Sequence, residues 1–494
     1  MIALTILVVV QPLAPAVATI ATAQAGPLGA ISAAAGVANL AVAVTLAIDV
    51  GGGHHVRALD GFLYLDPLSV FFLATIAAVV ALASIGSAAY LRAEQQRGEL
   101  RPLQVRLYFI FFAIFAAMML ASFETGNLGL LWVLIEASTL ASCVLVGLEG
   151  KAVSLEAAWK YIIISSFGVT IALVGTLFLY YAAGSLAGSP TEHLTWAYLY
   201  AHAGGLGVQS LRLGFLLALI GYGTKVGLAP MHTWLPDAHS EAPSPASAML
   251  SAALLNTGMY AIIRFEALTR VPLGTHYAAR ILLIFGFASV IVGALFIVLR
   301  GNYKRLFAYS SVEHMGIIAI ALGFGGQLGL YGAMLHTLNH AIGKAVLVLT
   351  SGALVLRYRT RLVAEVKGVL SVTPLTGAVL LLAALAVAGS PPFGLFLSEF
   401  TIIRAGLARS SIVLVAALVV LLAIVFVALV GAVAGMALGA APDRPTFGPA
   451  YGDRSGRVLA ATPLVAGMVL LLVLGLWIPS GLNHLIMQSI HAIS

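Results

Sequence analysis

Long apolar segments, separated by short polar connections, follow one another along the whole chain. A helix that crosses the hydrocarbon core of a bilayer needs about 20 apolar residues, and most of these segments reach that length. A membrane β-strand would need alternating segments of about ten residues, whereas these segments are apolar throughout. The pattern therefore predicts an all-α polytopic membrane protein. Its transmembrane helices, about fourteen by the length criterion, are expected over residues 2–23, 28–49, 67–91, 106–123, 128–148, 158–184, 211–230, 244–265, 277–300, 303–325, 328–356, 374–407 (interrupted), 411–438 and 457–478.

The composition excludes several classes of protein. Hydrophobic residues make up 61% of the chain and charged residues 9%, whereas a soluble domain carries about 25% charged residues. The single cysteine, Cys143, cannot hold an iron–sulfur cluster or form a disulfide framework. No cofactor is therefore expected on this chain, and any redox chemistry should belong to a partner. The N-terminal segment lacks the basic region of a signal peptide, so it is interpreted as the first span.

The distribution of basic residues predicts the orientation in the membrane. A net charge of +7 could indicate nucleic-acid binding, but the basic residues lie in the connections between spans, where they set topology. If the connection that follows the third span is cytoplasmic, most of the 25 lysines and arginines share its side. The chain would lie in the cell membrane (the inner, cytoplasmic membrane), and both termini would then face the outside. The opposite side receives Arg57, Arg212, Arg264, Arg270, Arg280, Arg404 and Arg409.

Two spans contain breaks at proline residues. The seventh is followed by LAPMHTWLPDAHSEAPSP, with Pro230 and Pro236, and the twelfth contains AGSPPFG, with Pro391 and Pro392. Proline removes a backbone donor and interrupts a helix. Irregular backbone at membrane depth is tolerated where it lines a cavity or is buried in protein. The alternative interpretation is a pair of ordinary proline kinks.

The two breaks also predict an internal repeat. They lie five spans apart, and an odd offset reverses the direction of the chain across the membrane, as an inverted repeat requires. Helices four to eight would then be related to helices nine to thirteen as two inverted five-helix repeats. We therefore expect four parts: helices 1–3 over 1–105, the first repeat over 106–270, the second repeat over 271–438, and helix 14 within 439–494.

Four ionisable side chains fall within apolar spans. Inserting a charged side chain at the bilayer centre costs about 2.5–3.5 kcal/mol of free energy. Such a residue therefore indicates function. These side chains are Glu136, Lys225, Lys344 and Glu399. We expect Glu136 and Lys225 to form a pair whose weakening releases a proton. The alternative is a static ion pair that joins two helices.

The eleventh span carries His336, His340 and Lys344 at intervals of four residues, on one helix face. The row extends about 12 Å. Two histidines at this spacing could bind a metal, but the sequence offers no neighbouring thiol or carboxylate, so no metal site is expected. A proton relay fits better, since histidine titrates near neutral pH. The alternative is that the histidines bond to backbone at helix crossings.

Further polar residues could extend this relay. Glu313 and His314 lie in the tenth span beside two serines, and Asn256 is a neutral polar residue in the eighth. His239 lies on the connection after the seventh span, where a capping role is expected. A series of isolated ionisable groups along the membrane plane indicates ion conduction rather than a pocket for an apolar substrate.

Several motifs resemble one known family. GTKVGLAPMHTWLPDAHSEAPSPASAML, YSSVEHMGIIA, HTLNHAIGKAVLVLTSG and PPFGLFLSEF are similar to the antiporter-like proton-translocating subunits of respiratory complex I. That family includes cation/proton antiporter subunits and membrane subunits of energy-converting hydrogenases, and the chain looks most like the hydrogenase-4/formate hydrogenlyase branch. The resemblance implies fourteen helices in inverted five-helix repeats, with the seventh and twelfth helices broken.

The resemblance also assigns roles to individual residues. It matches the family's fifth-helix glutamate to Glu136 and its seventh-helix lysine to Lys225. The twelfth-helix ionisable position matches Glu399, and the eleventh-helix positions match His340 and Lys344. Asn256 is a departure, because many complex I members have a lysine in the eighth helix. Water, Glu313–His314 or the histidine row would then replace that lysine.

These observations predict a membrane subunit that moves protons within a redox-driven complex. Protons would enter from the cytoplasm to Lys225, pass His336, His340 and Lys344, and leave near Glu399. The expected partners are other membrane subunits, a peripheral redox module and the lipid bilayer, with no nucleic acid. One alternative is a subunit of a multisubunit Na⁺/proton antiporter, and another is a structural subunit whose path is inactive.

Overall fold

The computed structural model describes residues 1–299, 301–440, 450–452 and 454–494. Within this part of the chain the regular structure is helical apart from one short antiparallel hairpin. Strands β1 (Val56–Ala58) and β2 (Leu63–Leu65) form that hairpin in the connection before the third predicted span. The all-α prediction is therefore confirmed.

The helices of the N-terminal part precede and flank this hairpin. They are α1 (Ile2–Val10), α2 (Ala14–Ala18), α3 (Ala25–Gly51) and α4 (Pro67–Gln96). Helix α4 begins at Pro67 because proline fits the first helical position and Asp66 caps it, accepting a hydrogen bond from the Ser69 amide.

The next group of helices carries the first break. They are α5 (Pro102–Glu124), α6 (Leu128–Val146), α7 (Ala152–Ala182), α8 (Trp196–Ala201), α9 (Val208–Val226), α10 (Trp234–Glu241), α11 (Ser244–Met249) and α12 (Leu255–Leu273). A π-helical segment, Leu250–Leu254, joins α11 to α12, so that Ser244–Leu273 crosses as one helix. Such π segments are frequent at functional sites.

The remaining helices carry the second break. They are α13 (Thr275–Val298), α14 (Tyr303–Phe324), α15 (Gly326–Tyr358), α16 (Val369–Val372), α17 (Pro374–Val387), α18 (Gly394–Ala408), α19 (Ile412–Leu438), α20 (Arg454–Leu476) and α21 (Ser480–His491). The short helices α8 and α21 were not predicted from the sequence.

The helix lengths make this a multi-pass membrane protein. Among the described residues, 11 helices are long and apolar enough to cross a bilayer. The other three predicted spans consist of shorter helices or are less apolar: α1–α2, α9 with α10, and α17–α18. The number fourteen and the inverted repeats stay predictions, as does the division into four parts.

Both predicted breaks are present. Helix α9 ends at Val226 because Gly227 adopts the left-handed conformation, with φ of 79°, and helix resumes only at Trp234. The indole of Trp234 donates to the Thr224 carbonyl, which the end of α9 leaves free. Helix α17 ends at Val387 and α18 begins at Gly394, with Gly389 at φ of 72° between them.

The most buried helices form the centre of the bundle. Every residue in the apolar stretch of Ser244–Leu273 is buried, and 94% of that in α14, compared with 28% in α19. The polar residues of the eighth, tenth and eleventh predicted spans therefore lie in the protein interior and face other helices, while α19 faces outward. This separation places the candidate residues of these spans away from lipid, whereas Glu136 on α6 is only half-buried.

A buried ion pair fixes the start of α4 to α12. Arg264 donates to both carboxylate oxygens of Asp66, at 2.7 and 2.6 Å, and its guanidinium lies 4.1 Å from the centre of the Trp196 ring. Burial by itself raises the pKa of the Asp66 carboxyl, but the charge and hydrogen bonds of Arg264 and the Ser69 amide bring that pKa below its usual value. The pair is therefore charged and structural.

Candidate functional site

Lys225 lies fully buried one residue before the end of α9. Its ammonium donates to the Thr139 hydroxyl at 2.6 Å and to the Tyr161 hydroxyl at 2.9 Å. It also stands 5.1 Å from the centre of the Tyr161 ring, a cation–π distance. Three helices, α6, α7 and α9, thus converge on one ammonium group, just before the chain breaks at Gly227.

Glu136 does not form the expected direct pair with Lys225. One of its carboxylate oxygens accepts from the Ser166 hydroxyl at 2.5 Å, and the other has no hydrogen-bond partner among the described residues. Thr139, three residues further along α6, binds the ammonium instead. Because positions i and i+3 share a helix face, Glu136 lies next to the hydroxyl that holds Lys225. The predicted contact is wrong for this conformation, although the two groups are neighbours.

Lys344 is also fully buried, near the middle of α15. Its ammonium donates to the Phe307 carbonyl at 3.0 Å and to the Ser310 hydroxyl, both on α14. The second lysine is therefore held by backbone and a serine rather than by an aromatic hydroxyl. The sequence indicated the lysine but not its partners.

The histidines form a connected group across three helices. His314 on α14 and His336 on α15 share a hydrogen bond between Nδ1 and Nε2 at 3.0 Å. The Nδ1 of His336 lies 2.9 Å from the Ser398 hydroxyl on α18. The His340 ring lies 5.2 Å from that of His314, and its ring nitrogens have no partner among the described residues. Buried polar atoms are normally hydrogen-bonded, so this region suits ordered water.

The two glutamates lie beside this histidine group. A carboxylate oxygen of Glu313 lies 3.6 Å from Nε2 of His314. Glu399 is 8% exposed and fits against the second break, where any side chain on Gly389 would collide with its carboxylate. The break therefore makes room for the acid, as irregular backbone at membrane depth often does.

The geometry adds a carboxylate that the sequence did not indicate as a metal ligand. Three possible ligand atoms, one each from His314, His336 and Glu399, lie within 4.8 Å of one another. A metal would need a ring nitrogen of His336, and both are engaged, with His314 and with Ser398. The hydrogen bonds of His336 go to side chains, which excludes the expected alternative for this residue of bonding to backbone.

A serine pair links the second lysine to the centre of the bundle. The hydroxyls of Ser251, in the π segment, and Ser311, on α14, are 2.7 Å apart. Ser311 follows Ser310, which binds Lys344. Asn256 uses its amide group to donate to the Ala252 carbonyl at 2.7 Å, and its oxygen has no partner among the described residues. Asn256 thus lies close to the π segment with a free acceptor.

Helix α12 also approaches the first lysine. An added Cβ at Gly258 would stand 3.4 Å from the Cβ of Lys225, so α12 packs against α9 at this point. Together with the π segment that precedes it, α12 therefore approaches Lys225 at Gly258 and the Lys344 side at Ser251. The structure brings His314, His336 and Glu399 together directly. Lys225 is connected to the α14 side through α12 and also through α10, where the Trp234 ring lies 4.6 Å from that of Tyr161 and 6.3 Å from that of His239.

Sequence reasoning missed the hydroxyl partners and one histidine. Thr139, Tyr161, Ser310 and Ser398 hold the ionisable groups, and only the i, i+3 spacing of Glu136 and Thr139 gave a signal. His239, expected to cap a helix, is instead 2% exposed, with Nε2 lacking a partner among the described residues. Its burial follows from the position of α10, which packs against α7 and α14.

Comparisons with known proteins show which family the chain resembles. The sequence profile described as "NADH:quinone oxidoreductase/Mrp antiporter, TM" matches residues 125–425. A hydrogenase-4 component F homolog of Methylacidiphilum infernorum is 36% identical, covering 85% of this chain and 86% of that protein. NADH-quinone oxidoreductase subunit N of Desulforudis audaxviator is 32% identical, covering 69% of this chain and 67% of that protein.

Solved structures show the same fold. A chain of the archaeal membrane-bound sulfane sulfur reductase superimposes with a TM-score of 0.85 at 23% identity, covering 99% of this chain and 97% of that one. A chain of the Mrp complex from Dietzia sp. DQ12-45-1b gives 0.83 at 22% identity, with the same coverage. The profile match and the similar relatives establish that the chain belongs to the family of NADH:quinone oxidoreductase/Mrp antiporter membrane subunits.

Proposed function

We propose that this chain is a proton-translocating membrane subunit of a redox-driven complex of the membrane-bound hydrogenase or complex I type. The observation that carries the proposal is the buried polar group around Lys344, His314, His336 and Glu399, together with Lys225 on the other side of α12. A charged lysine or carboxylate at the centre of a bilayer costs about 2.5–3.5 kcal/mol, which a merely structural helix contact does not require.

The proposed path follows the order of these residues through the bundle. Protons enter from the cytoplasm to Lys225, pass by the π segment to Lys344, His340 and His336, and leave outward near Glu399. Asn256, Glu313 and His314 complete the relay, with Asn256 ordering water where many relatives carry a lysine. Glu136 tunes Lys225 through its charge. Both termini face the outside, and labelling of introduced terminal cysteines in intact cells tests that orientation.

Uphill transport requires a driving partner. Moving one charge against 100 mV costs about 2.3 kcal/mol, and Cys143 alone cannot support a redox centre. The names of the relatives, hydrogenase-4 component F homolog and NADH-quinone oxidoreductase subunit N, point to a redox module. We therefore propose that neighbouring membrane subunits and a peripheral redox module accompany the chain.

A second candidate is a subunit of a cation/proton antiporter. The fold likeness to a chain of the Mrp complex favours it. Sodium-dependent transport without a redox substrate would support this candidate, whereas co-purification of a redox module would support the first. A third candidate, a structural subunit with an inactive path, predicts that no substitution of a buried lysine changes transport.

The decisive experiment replaces Lys225 with alanine in the complete complex. Because the ammonium is the proton-carrying group of the first site, we expect Lys225→Ala to abolish coupled proton uptake in vesicles while the complex still assembles. Lys225→Met, which better fills the buried space, separates loss of charge from loss of packing. Lys151→Ala is the matched control, since that ammonium is exposed and pairs with Glu149 at 2.7 Å. Unchanged proton uptake in both Lys225 variants would refute the proposal.

A further inference from the structure

Outside the buried axis, a cavity of about 700 Å³ lies at one end of the bundle. Its lining comes from the ends of several helices, including the start of α13 and α15 and the end of α14 and α18. Apart from the two breaks, the ends of the long apolar helices mark the boundary between the hydrocarbon core and water. The cavity therefore lies at a membrane surface, on the side that carries the few arginines expected outside.

The cavity is lined by three arginines. Arg270 is neutralised, because it binds the carboxylate of Glu266 at 2.7 Å and donates to the Ile493 carbonyl. Arg280 and Arg409 are exposed and have no ion pair or hydrogen bond to the residues that the structure describes. Two uncompensated guanidinium groups, from helices distant in the sequence, thus meet at one concave surface. Arginine binds phosphate well because its planar fork offers several donors.

Backbone donors point to the same ligand chemistry. Helices α13, α15 and α19 begin at this cavity, after Gly274, Gly325 and Ser411, and none of these three residues caps its helix with a side-chain hydrogen bond. The first amides of a helix are unsatisfied donors, and its N-terminus favours negative charge. Arg409 adds positive charge at the start of α15, because a Cβ added at Gly326 would lie 3.4 Å from its Nη2.

We propose that this cavity binds the phosphate headgroup of an anionic phospholipid. The choice of a lipid rather than a free anion rests on the neighbouring apolar surface. Ile412 and Val413, which directly follow the lining residue Ser411, are 68% and 81% exposed. A headgroup in the cavity would thus have its acyl chains against a lipid-facing helix. The guanidinium forks of Arg280 and Arg409 would bind the phosphate of such a headgroup. The site is independent of the proton path.

Lipid binding to the purified chain tests the proposal. The protein is exchanged into detergent with phosphatidylglycerol, phosphatidylcholine or inorganic phosphate, and retained adducts are counted by native mass spectrometry. The variant is Arg280→Gln/Arg409→Gln, and the control is Arg404→Gln, an exposed arginine of α18 that does not line the cavity. At about 1 kcal/mol per arginine, the double variant should bind phosphatidylglycerol roughly 30-fold more weakly.

The three additives and the three proteins distinguish between the possible occupants of the cavity. Retention of phosphatidylglycerol by the native chain and by Arg404→Gln, with loss in the double variant, supports the proposal. Equal retention by all three proteins, or equal binding of phosphatidylcholine, overturns it. Competition by inorganic phosphate as strong as that by the lipid would assign the cavity to a free anion and would also overturn it. A melting temperature measured without lipid shows that the double variant is folded.

Discussion

The two buried lysines, Lys225 and Lys344, are surrounded by different chemistry. Lys225 is held by the hydroxyls of Thr139 and Tyr161 and lies against the face of an aromatic ring. Lys344 is held by a serine and a backbone carbonyl on α14, the helix that also carries Glu313 and His314. The first site thus confines a single charge, whereas the second adjoins several groups that can exchange protons.

This difference suggests a division of labour. A hydroxyl cage fixes the position of an ammonium, and neighbouring charge such as that of Glu136 can then bias whether it holds its proton. Connected histidines can pass a proton along because each ring nitrogen accepts or donates. We infer that Lys225 is the control point and that the histidine group is the conductor. Substitutions at the two sites should therefore have different effects.

The largest effect is expected for Lys344→Met. The change removes the donor to Ser310 and the Phe307 carbonyl and leaves the second site without a cation. Proton uptake by vesicles should fall to the background level, as for Lys225. Assembly should persist, since methionine is similar in length to lysine and fills the same buried space. Normal uptake would place the second site outside the path.

His336→Gln comes next and tests conduction itself. Glutamine can still hydrogen-bond His314 and Ser398 but cannot take up a proton at neutral pH. Proton uptake should fall roughly a hundredfold, the usual scale for losing a positioned proton-transfer group. The melting temperature should change little. A variant that is destabilised but transports normally would make His336 a structural residue.

A smaller effect is expected for Tyr161→Phe at the control point. The change removes one of the two hydroxyls that hold Lys225 and leaves the ring in place. A hydrogen bond to a charged group contributes about 1.5–3 kcal/mol, so uptake should fall by roughly tenfold or more. Ser87→Ala provides a control, because it removes the hydroxyl bound to another buried tyrosine, Tyr108, far from the lysine in sequence. Equal effects of both changes would contradict a special role for the cage.

The smallest effect is expected for Glu136→Gln. Glutamine can keep the contact with Ser166 but loses the negative charge beside the hydroxyl that binds Lys225. Since no direct ion pair is lost, uptake should decrease only a few-fold and remain measurable. Glu136→Asp, which keeps the charge, should restore most of it. Complete loss of transport in Glu136→Gln would show that the two residues do pair directly during turnover.

The sequence predicted much of the fold because a bilayer imposes simple rules. Apolar length alone placed most spans within a few residues, and the prolines at 230, 391 and 392 located both breaks. The sequence also indicated the buried lysines, glutamates and histidines of the two sites that interrupt apolar runs, although not His239. It could not give their partners, because a hydroxyl such as that of Tyr161 looks the same whether it faces lipid, a backbone carbonyl or an ammonium.

What the sequence determined by itself was the membrane class, the broken helices and the identity of the charged residues, because hydropathy and proline act locally along the chain. Only the tertiary structure decided which of these residues meet. It replaced the expected Glu136–Lys225 pair by a hydroxyl cage and joined His314 to His336 across two helices. The physical reason is that helix packing, set by close approaches such as that of Gly258 to Lys225, brings together side chains that no spacing in the sequence relates.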